Sequence, residues 1–351
     1  MSTPMIELRR IHKSYGSEKV LENLDLRMEK GGFTVLLGPS GCGKSTILRL
    51  IAGLETASAG EVLIDGASMR EVPPGDRGIA MVFQNYALYP TMTARENIEY
   101  GLKNSGIAKK DRDRRIAEIA ELVGLGDYLK KKPQFLSGGQ RQRVALARAM
   151  VKQPRIFLMD EPLSNLDAKL RGQLRKDLIE LYRKLGSTFV YVTHDQVEAM
   201  SLGTKVILLE KGRIRQEAAP EEIYAKPANV FSARFIGTPP MNIIEADQAT
   251  FALFPGTRHI GFRPEKARIT VDRSALPSGA SVFPGELVTH EMLGSEVLYQ
   301  VNGPGWKAQV KLYENLKLPY GPAFIYVDRK DIFPFDGDGN SMERPASGGD
   351  R

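Results

Sequence analysis

The sequence predicts an α/β domain built on a mostly parallel sheet, followed by a small β-rich domain. Before residue 236, four short apolar runs typical of buried strands alternate with stretches of helical periodicity. After about residue 242, the apolar runs are broken by Gly and Pro, as in all-β domains. The length of 351 residues suits about two domains of ordinary size.

Each element of the first domain follows from its apolar pattern. The predicted strands are Phe33–Leu37, Ile156–Met159, Phe189–Val192 and Val206–Leu209. The predicted helices cover Ser45–Leu54, residues 141–154 and residues 165–185. Because these strands are apolar throughout, we expect helices to cover both faces of their sheet.

The second domain is predicted to be all-β. Its apolar side chains stand in short runs, and the pairs Asn302-Gly303 and Pro304-Gly305 mark turns between them. We assign residues 1–235 to the first domain, 236–242 to a linker and 243–335 to the β-rich domain. Residues 336–351 are rich in Gly, Asp and Ser and are predicted to be disordered.

Composition narrows the class of protein. No apolar run approaches the roughly 18 to 20 residues that span a bilayer, and Met1–Arg10 lacks the apolar stretch of a secretory signal. A single cysteine cannot form an intrachain disulfide, which suits a reducing compartment. We therefore expect a cytoplasmic protein.

The charge is unevenly distributed. Residues 1–235 hold 37 Lys and Arg against 28 Asp and Glu, whereas residues 236–351 hold 12 against 14. We interpret the basic excess chiefly as solvated helix surface. There are two functional alternatives. The positive charge could steer an anionic nucleotide to the protein, or it could hold the protein near an anionic membrane surface.

The first motif is a phosphate-binding loop between the strand Phe33–Leu37 and the next helix. It consists of Gly38, Pro39, Ser40, Gly41, Cys42, Gly43, Lys44, Ser45 and Thr46. Its glycines let backbone N–H groups turn toward phosphates, and the helix start adds its positive end. Lys44 is expected to neutralise the β- and γ-phosphates, and Ser45 to bind Mg²⁺. Cys42 occupies a position of the motif at which the residue type is unconstrained. The alternative interpretation is that its thiol acts as a redox switch.

The second motif is an acidic pair at the end of the strand Ile156–Met159. Carboxylates at the carboxyl end of a buried parallel strand are expected beside the phosphate loop. Asp160 suits a Mg²⁺ ligand, and Glu161 suits the group that polarises the attacking water.

The third motif is a Gly-rich turn that opens a helix. It comprises Ser137, Gly138, Gly139 and Gln140 after Leu136. In one interpretation Ser137 is an ordinary helix N-cap. In the other, the turn holds the γ-phosphate of a nucleotide bound to another copy of the protein.

With these three motifs the chain resembles the ATP-binding-cassette (ABC) ATPase family over about residues 5–235. The resemblance implies four further site residues in the family's order. Tyr15 would stack on adenine, and Gln84 would link Mg²⁺ to a membrane partner. The segment Ser164–Asp167 resembles the loop that crosses the dimer interface, and His194 would contact the γ-phosphate. The implied fold is a P-loop NTPase cassette with a helical subdomain at about residues 87–153, and the implied cofactors are ATP and Mg²⁺.

Longer stretches narrow the resemblance to the ATPase subunits of bacterial carbohydrate importers, of the maltose and glycerol-3-phosphate type. They are Phe83–Pro90, Phe157–Leu170, Tyr191–Met200 and Phe235–Asn242. In that subfamily an OB-like regulatory β-barrel follows, and Gly261–Glu265 resembles its characteristic segment. The resemblance therefore implies an all-β OB-like regulatory domain after the linker.

The implied function is ATP hydrolysis that energises uptake of a sugar, polyol or glycerol-phosphate-like solute. Two copies would form a head-to-tail homodimer, with Ser137 and Gly139 of one facing Lys44, Ser45, Asp160 and Glu161 of the other. Two integral-membrane permease subunits would dock around residues 84–97 and hold the dimer at the cytoplasmic face of the plasma membrane. A solute-binding protein would be an indirect partner.

Two alternatives remain open at this point. Importers of polyamine, sulfate or iron use similar ATPases. A cassette ATPase that acts on nucleic acid or ribosomes belongs to another class, which the basic first domain favours. Against it, the chain has one cassette, no long coiled-coil insertion and no cysteines at zinc-binding spacing, so no nucleic-acid partner is expected.

Overall fold

The computed structural model describes residues 3–246 and 255–343 of the chain. Its contacts divide the chain into two units, Met1–Pro220 and Glu221–Arg351. The boundary predicted from the sequence lies later, after residue 235. The difference arises because the helix Val230–Phe235 buries Ala233 against Met241 and Phe335, within the second unit.

The first unit contains an antiparallel sheet that the sequence analysis did not predict. Its strands run in the order β2-β1-β4-β5 and are β1 (Ile6–Tyr15), β2 (Glu18–Met28), β4 (Ala59–Ile64) and β5 (Ala67–Ser68). In β2, the buried Leu24, Leu26 and Met28 alternate with exposed Asp25 and Arg27. This period of two residues is the pattern of a strand with one buried face.

A six-stranded sheet forms the centre of the first unit, and it confirms the predicted mostly parallel sheet. The strand order is β10-β9-β3-β8-β7-β6, and only the edge strand β10 is antiparallel to its neighbour. The strands are β3 (Phe33–Leu37), β6 (Ile79–Val82), β7 (Ile156–Asp160), β8 (Thr188–Thr193), β9 (Lys205–Glu210) and β10 (Arg213–Ala218). All four strands predicted from apolar runs are present.

Six helices accompany these sheets in the described part of the first unit. They are α1 (Lys44–Ala52), α2 (Ala94–Asn104), α3 (Lys109–Leu122), α4 (Gly138–Met150), α5 (Ala168–Leu185) and α6 (Gln196–Leu202). Helix α4 begins three residues earlier than predicted and α5 three residues later, because Ser137 and Asp167 cap these helices. Within residues 3–246 and 255–343, no helix is both long enough and apolar enough to cross a bilayer.

Helices α2, α3 and α4 pack into a small core of their own. Ile98 and Leu102 of α2, Ile116 of α3 and Val144 of α4 lie in one buried cluster. The cluster draws on residues 94–151, inside the helical subdomain proposed from the sequence at about residues 87–153.

The second unit is built mainly of antiparallel strands, preceded by the helices α7 (Pro220–Ala225) and α8 (Val230–Phe235). One sheet has the order β11-β12-β18, with β11 (Asn242–Glu245), β12 (His259–Phe262) and β18 (Ile332–Phe335). The other has the order β13-β17-β14-β15-β16, with β13 (Ala267–Thr270), β14 (Ser281–Met292), β15 (Val297–Gly303), β16 (Trp306–Leu312) and β17 (Gly321–Val327). Side chains from both sheets share one apolar core. These strands fit the predicted all-β domain.

The prediction of disorder in the tail is wrong for residues 336–343. The backbone of Met342 donates to Pro334, and that of Ser341 donates to Ala228. The Asp336 carboxylate accepts hydrogen bonds from the backbone N–H groups of Asp338 and Asn340, which closes a turn. Polar composition suggested disorder, but these local hydrogen bonds hold the segment beside β18. Residues 344–351, the rest of the predicted tail, lie outside the described residues.

Candidate active site

The carboxyl ends of three neighbouring parallel strands meet at one edge of the central sheet. Strand β8 lies between β3 and β7, so that Leu37 pairs with Thr193, and Val192 pairs with Asp160. The phosphate loop, the acidic pair and His194 therefore all begin side by side. Parallel α/β sheets generally bind their ligands at this position.

The phosphate loop depends on glycine at two places. A Cβ on Gly38 would lie 2.3 Å from the carbonyl oxygen of Leu209 in β9, and Gly43 has a φ of 102°. Helix α1 begins directly after Gly43, with no side-chain cap and no acidic residue in its first turn. Its first N–H groups are therefore available to an anion. Pro39, Ser40 and Gly41 form the exposed part of the loop.

Lys44 is buried under the loop. Its Nζ donates to the carbonyl oxygens of Gly38 at 2.8 Å and Pro39 at 2.9 Å. Thr46, two residues along in α1, is half-buried. The ammonium group thus lies within the backbone that would surround a phosphate, where it can exchange a carbonyl partner for a phosphate oxygen.

Cys42 turns its side chain away from the surface of the loop. The thiol is buried in the core of the first unit, and this burial raises its pKa. The thiol lies 3.7 Å from Lys44 Nζ, on the buried side of the loop.

Ser45 and Asp160 face each other across the loop. Ser45 Oγ donates to Asp160 Oδ1 at 2.8 Å. Burial raises the pKa of the Asp160 carboxyl, which the hydrogen bond from Ser45 partly offsets. Two oxygen donors at this separation suit a small hard cation.

Glu161 lies at the centre of a second group of polar side chains. Its Oε2 is 3.1 Å from His194 Nδ1 and 3.4 Å from Gln84 Nε2. The residue has a φ of 43°, and its backbone N–H donates to the carbonyl oxygen of Val192 in β8. The turn after β7 therefore points this carboxylate at the residues that follow β6 and β8.

Two residues that the sequence analysis did not single out hold Gln84 in place. Ser164 Oγ lies 3.3 Å from Gln84 Nε2, and it donates to the Glu161 carbonyl oxygen at 2.9 Å. Asn165 Nδ2 donates to the Gln84 carbonyl oxygen at 2.9 Å. Their motif was noted only as part of the Asp167 loop, and no local pattern signalled this contact.

A buried carboxylate that the sequence analysis did not single out supports the backbone next to His194. Glu198 Oε2 accepts hydrogen bonds from Tyr191 at 2.9 Å and Thr193 at 2.7 Å. Thr193 Oγ1 in turn accepts from the backbone N–H of Asp195, whose side chain caps α6. The backbone on either side of His194 is thereby tied to α6.

The Glu198 network should reveal itself in the pH dependence of stability. Burial raises the pKa of Glu198 above its ordinary value of 4.5. The folded protein then binds more protons than the unfolded chain as pH rises above 4.5, so the contribution of Glu198 to stability is lost over this range. We expect wild-type stability, relative to Glu198→Gln, to fall with a slope of up to about 1.4 kcal/mol per pH unit. Urea unfolding of both proteins from pH 4.5 upward measures this difference; parallel curves would contradict it.

Tyr15 and the turn Ser137–Gln140 make contacts with residues outside the cluster around Glu161. The ring of Tyr15 is 43% exposed, and Lys13 Nζ lies 4.7 Å from its centroid. Ser137 and Gln140 bond to each other in a capping box at the start of α4. The N-cap interpretation of Ser137 is thus correct for the isolated chain, which leaves its exposed surface open to other partners.

Gly138 and Gly139 pack the start of α4 against the loop that carries Asp167. Cβ atoms on these glycines would lie 3.0 Å from Leu166 Cδ2 and 2.8 Å from Leu170 Cδ2. Asp167 itself caps α5 by accepting from the Leu170 backbone N–H. The two segments that the sequence analysis placed at a dimer interface are therefore neighbours on one surface.

Comparison with known proteins adds family relationships to this geometry. A family model described as ABC transporter matches residues 21–164. The chain is 42% identical to sn-glycerol-3-phosphate import ATP-binding protein UgpC 1 of Rhizobium johnstonii, over 97% of this chain and 96% of that protein. It is 46% identical to UgpC 3 of the same organism over 92% of each chain. It is 48% identical to UgpC of Rhodopseudomonas palustris over 83% of this chain and 82% of that one.

Solved structures match the chain as well. The dimeric structure of a post-hydrolysis state of the ATP-binding cassette MJ0796 bound to ADP and Pi aligns with a TM-score of 0.57 and 35% identity. It covers 62% of this chain and 99% of that chain. The structure of cbiO1 from Clostridium perfringens aligns with a TM-score of 0.59 and 24% identity, over 64% of this chain and 91% of that chain. The second likeness concerns the fold alone.

Proposed function

Because this chain belongs to the ABC transporter family and has its ATP-binding cassette fold, we propose that it is the ATP-hydrolysing subunit of an importer. The proposed cargo is a sugar, polyol or glycerol-phosphate-like solute. The observation that carries this proposal is the 42% identity over 97% of the chain to an import ATP-binding protein for sn-glycerol 3-phosphate. The solute itself would contact separate subunits.

Nucleotide binding is assigned to the loop Gly38–Thr46 and to Tyr15. The N–H groups at the start of α1 would hold the β-phosphate, and Lys44 would exchange its bonds to Gly38 and Pro39 for phosphate oxygens. The exposed ring of Tyr15 offers a face for adenine.

Mg²⁺ is assigned to the oxygens of Ser45, Asp160 and Gln84. A hydroxyl, a carboxylate and an amide oxygen are the hard ligands that this ion prefers, and the first two already lie 2.8 Å apart. Among the described residues, no group of three or more His, Cys, Asp or Glu side chains is placed to hold a metal ion. When bound, Mg²⁺ would neutralise charge on the phosphates.

Hydrolysis is assigned to Glu161 with His194. The Glu161 carboxylate would accept a proton from the attacking water. His194, 3.1 Å away, would hold that carboxylate in place and reach toward the γ-phosphate. Gln84 contacts the same carboxylate, so ATP bound at the site would affect the conformation of the segment that follows β6.

The complete site is proposed to need a second copy of the chain. Ser137 and its neighbours make their hydrogen bonds within α4, on a surface shared with the Asp167 loop. In a head-to-tail homodimer this surface would close over the phosphate loop of the partner. The dimeric cassette structure that matches this chain supports the arrangement.

The remaining assignments concern partners and domains. Two permease subunits would bind residues 84–97 and hold the ATPase at the cytoplasmic face of the plasma membrane, with a solute-binding protein beyond them. Residues 1–235 would form the cassette, 236–242 the linker and 243–335 an OB-like regulatory domain. The antiparallel sheets of the second unit support this last assignment.

Uptake in the native host tests the proposal. The chromosomal copy is replaced by Glu161→Gln, and uptake of labelled sugars, polyols, sn-glycerol 3-phosphate, polyamine and sulfate is followed. We expect selective loss of uptake of one sugar, polyol or glycerol-phosphate solute, because the variant lacks only the ATP hydrolysis that drives the importer of that solute.

Glu71→Gln is the matched control, since Glu71 is exposed and lies outside the site. It should leave all uptake intact. Loss of polyamine or sulfate uptake instead would overturn the proposed cargo. Unchanged uptake of every solute, with the variant expressed and no second ATPase subunit present, would overturn the importer itself.

A further inference from the structure

Two adjacent residues after Gln84 adopt backbone conformations that side chains rarely tolerate. Tyr86 has a φ of 63° and Ala87 a φ of 46°. Neither is a glycine, so the left-handed turn carries a steric cost that its surroundings must offset. Strain of this kind is often kept at segments that act in function.

Arg148 is the side chain that holds this turn. It lies in the last turn of α4, and its guanidinium donates to the carbonyl oxygens of Tyr86 at 2.8 Å and Ala87 at 2.7 Å. The same group lies 5.8 Å from the ring centroid of Tyr89. A planar guanidinium can bond both carbonyls at once, which an ammonium group cannot do with fixed geometry. The guanidinium thus clamps both strained residues.

Asn97 of α2 holds the other end of the same segment. Its Oδ1 accepts from the Tyr89 backbone N–H, and its Nδ2 lies within bonding distance of the carbonyl oxygens of Tyr89, Met92 and Thr93. Asn97 is fully buried. Residues 84–93 are therefore pinned at Gln84 by the active site, at Tyr86 and Ala87 by α4, and at Tyr89–Thr93 by α2.

Helix α4 joins two functional surfaces. Its N-terminus is capped by Ser137, and Arg148 stands one helix length away, within the same 13-residue element. At about 1.5 Å of rise per residue, Arg148 lies roughly 16 Å along the helix from Ser137. Ser137 and the carbonyl groups of Tyr86 and Ala87 are therefore joined through one continuous helix.

We propose that Arg148 is a positioning residue that couples ATP engagement at Ser137 to the geometry of residues 86–89. This inference rests on the proposed function, in which Ser137 faces the nucleotide of a second copy and residues 84–97 contact the permeases. When the dimer closes, α4 moves the turn at Tyr86 and Ala87. This movement changes the orientation of residues 84–97, which contact the permeases. Without these hydrogen bonds ATP is still hydrolysed, but movement of α4 no longer changes the conformation of residues 86–89.

Amide hydrogen exchange on the purified full-length protein tests the coupling without any transported solute. All variants carry Glu161→Gln, so that bound ATP persists. We expect ATP with Mg²⁺ to protect the phosphate loop and residues 137–140 in both the parent and Arg148→Lys. Exchange at residues 86–89 should change on ATP addition in the parent only. Arg155→Lys, which alters an exposed ion pair with Asp65, is the matched control and should behave as the parent.

A second variant separates loss of the coupling from relaxation of the turn. Glycine accepts a positive φ without strain, so adding Ala87→Gly to Arg148→Lys should keep the left-handed turn but leave residues 86–89 without an ATP response, because the link to α4 is still missing. In otherwise wild-type protein, Arg148→Lys should keep ATP turnover within about twofold while lowering uptake of the cargo by about tenfold or more.

The outcomes distinguish the two levels of inference. An ATP response at residues 86–89 that persists in Arg148→Lys would overturn the coupling role, as would turnover and uptake that fall in parallel. An ATP response restored by adding Ala87→Gly to Arg148→Lys would also overturn it. Absence of any ATP protection at the phosphate loop of the parent would instead refute the proposed nucleotide site, and the coupling role with it.

Discussion

Replacing Glu161 by glutamine is expected to lower steady-state ATP turnover by at least about 100-fold while ATP still binds. The amide cannot accept the proton of the attacking water, yet it keeps the shape of the side chain. Lys44, Ser45 and Asp160, which bind phosphates and Mg²⁺ in our proposal, are untouched by the change. Bound ATP should therefore accumulate, and with it the closed dimer. Phosphate release measures the turnover, and size-exclusion chromatography with and without ATP measures the dimer.

The exposed Glu71 again provides the control for this experiment, because Glu71→Gln makes the same chemical change away from the site. It should turn over ATP as the wild type does. Near-normal turnover in Glu161→Gln would remove Glu161 from its assigned role. A variant that loses turnover and nucleotide affinity together would show that the residue serves binding rather than proton transfer.

His194→Ala is the second change for which we expect a large effect. The imidazole lies 3.1 Å from the Glu161 carboxylate and is half-exposed at the edge of the site. Its removal frees Glu161 to rotate and deletes a polar contact to the γ-phosphate, so turnover should fall by about 100-fold. Nucleotide affinity should change little, because the phosphate loop and Tyr15 remain. Turnover and binding of a fluorescent nucleotide are measured in parallel.

His12→Ala is a suitable control for that variant, since His12 is an exposed histidine in β1 of the same unit. Its turnover should match the wild type. If His194→Ala hydrolysed ATP at an unchanged rate, His194 would have no part in the mechanism.

The central fold could be predicted because its evidence is local. Strands such as Phe33–Leu37 are buried along their whole length, and a run of apolar residues indicates this directly. The antiparallel sheet of β1 and β2 was missed even though Leu24, Leu26 and Met28 show its two-residue period. Register shifts interrupt the pairing of β1 with β2, and they break up the alternation that a longer regular strand would display.

Within the site, contiguous motifs were predictable and long-range supports were not. Gly38–Thr46 and Asp160-Glu161 each carry their chemistry within a few residues, so the type and spacing of the side chains suffice. The contact of Ser164 with Gln84, by contrast, joins positions 80 residues apart. Glu198 resembles any surface glutamate of an amphipathic helix until the fold buries it under Tyr191 and Thr193.

By itself the sequence determined the kind of chemistry this protein performs, since a phosphate loop, an acidic pair and a Gly-rich helix start place their reactive groups through the local backbone. The tertiary structure alone decided how those groups are held and connected. Sheet order brings Glu161 beside His194, and helix packing brings Arg148 onto the strained carbonyl groups of Tyr86 and Ala87. Such contacts depend on the packing of elements distant in the chain, and no local pattern of residues specifies which side chains that packing brings together.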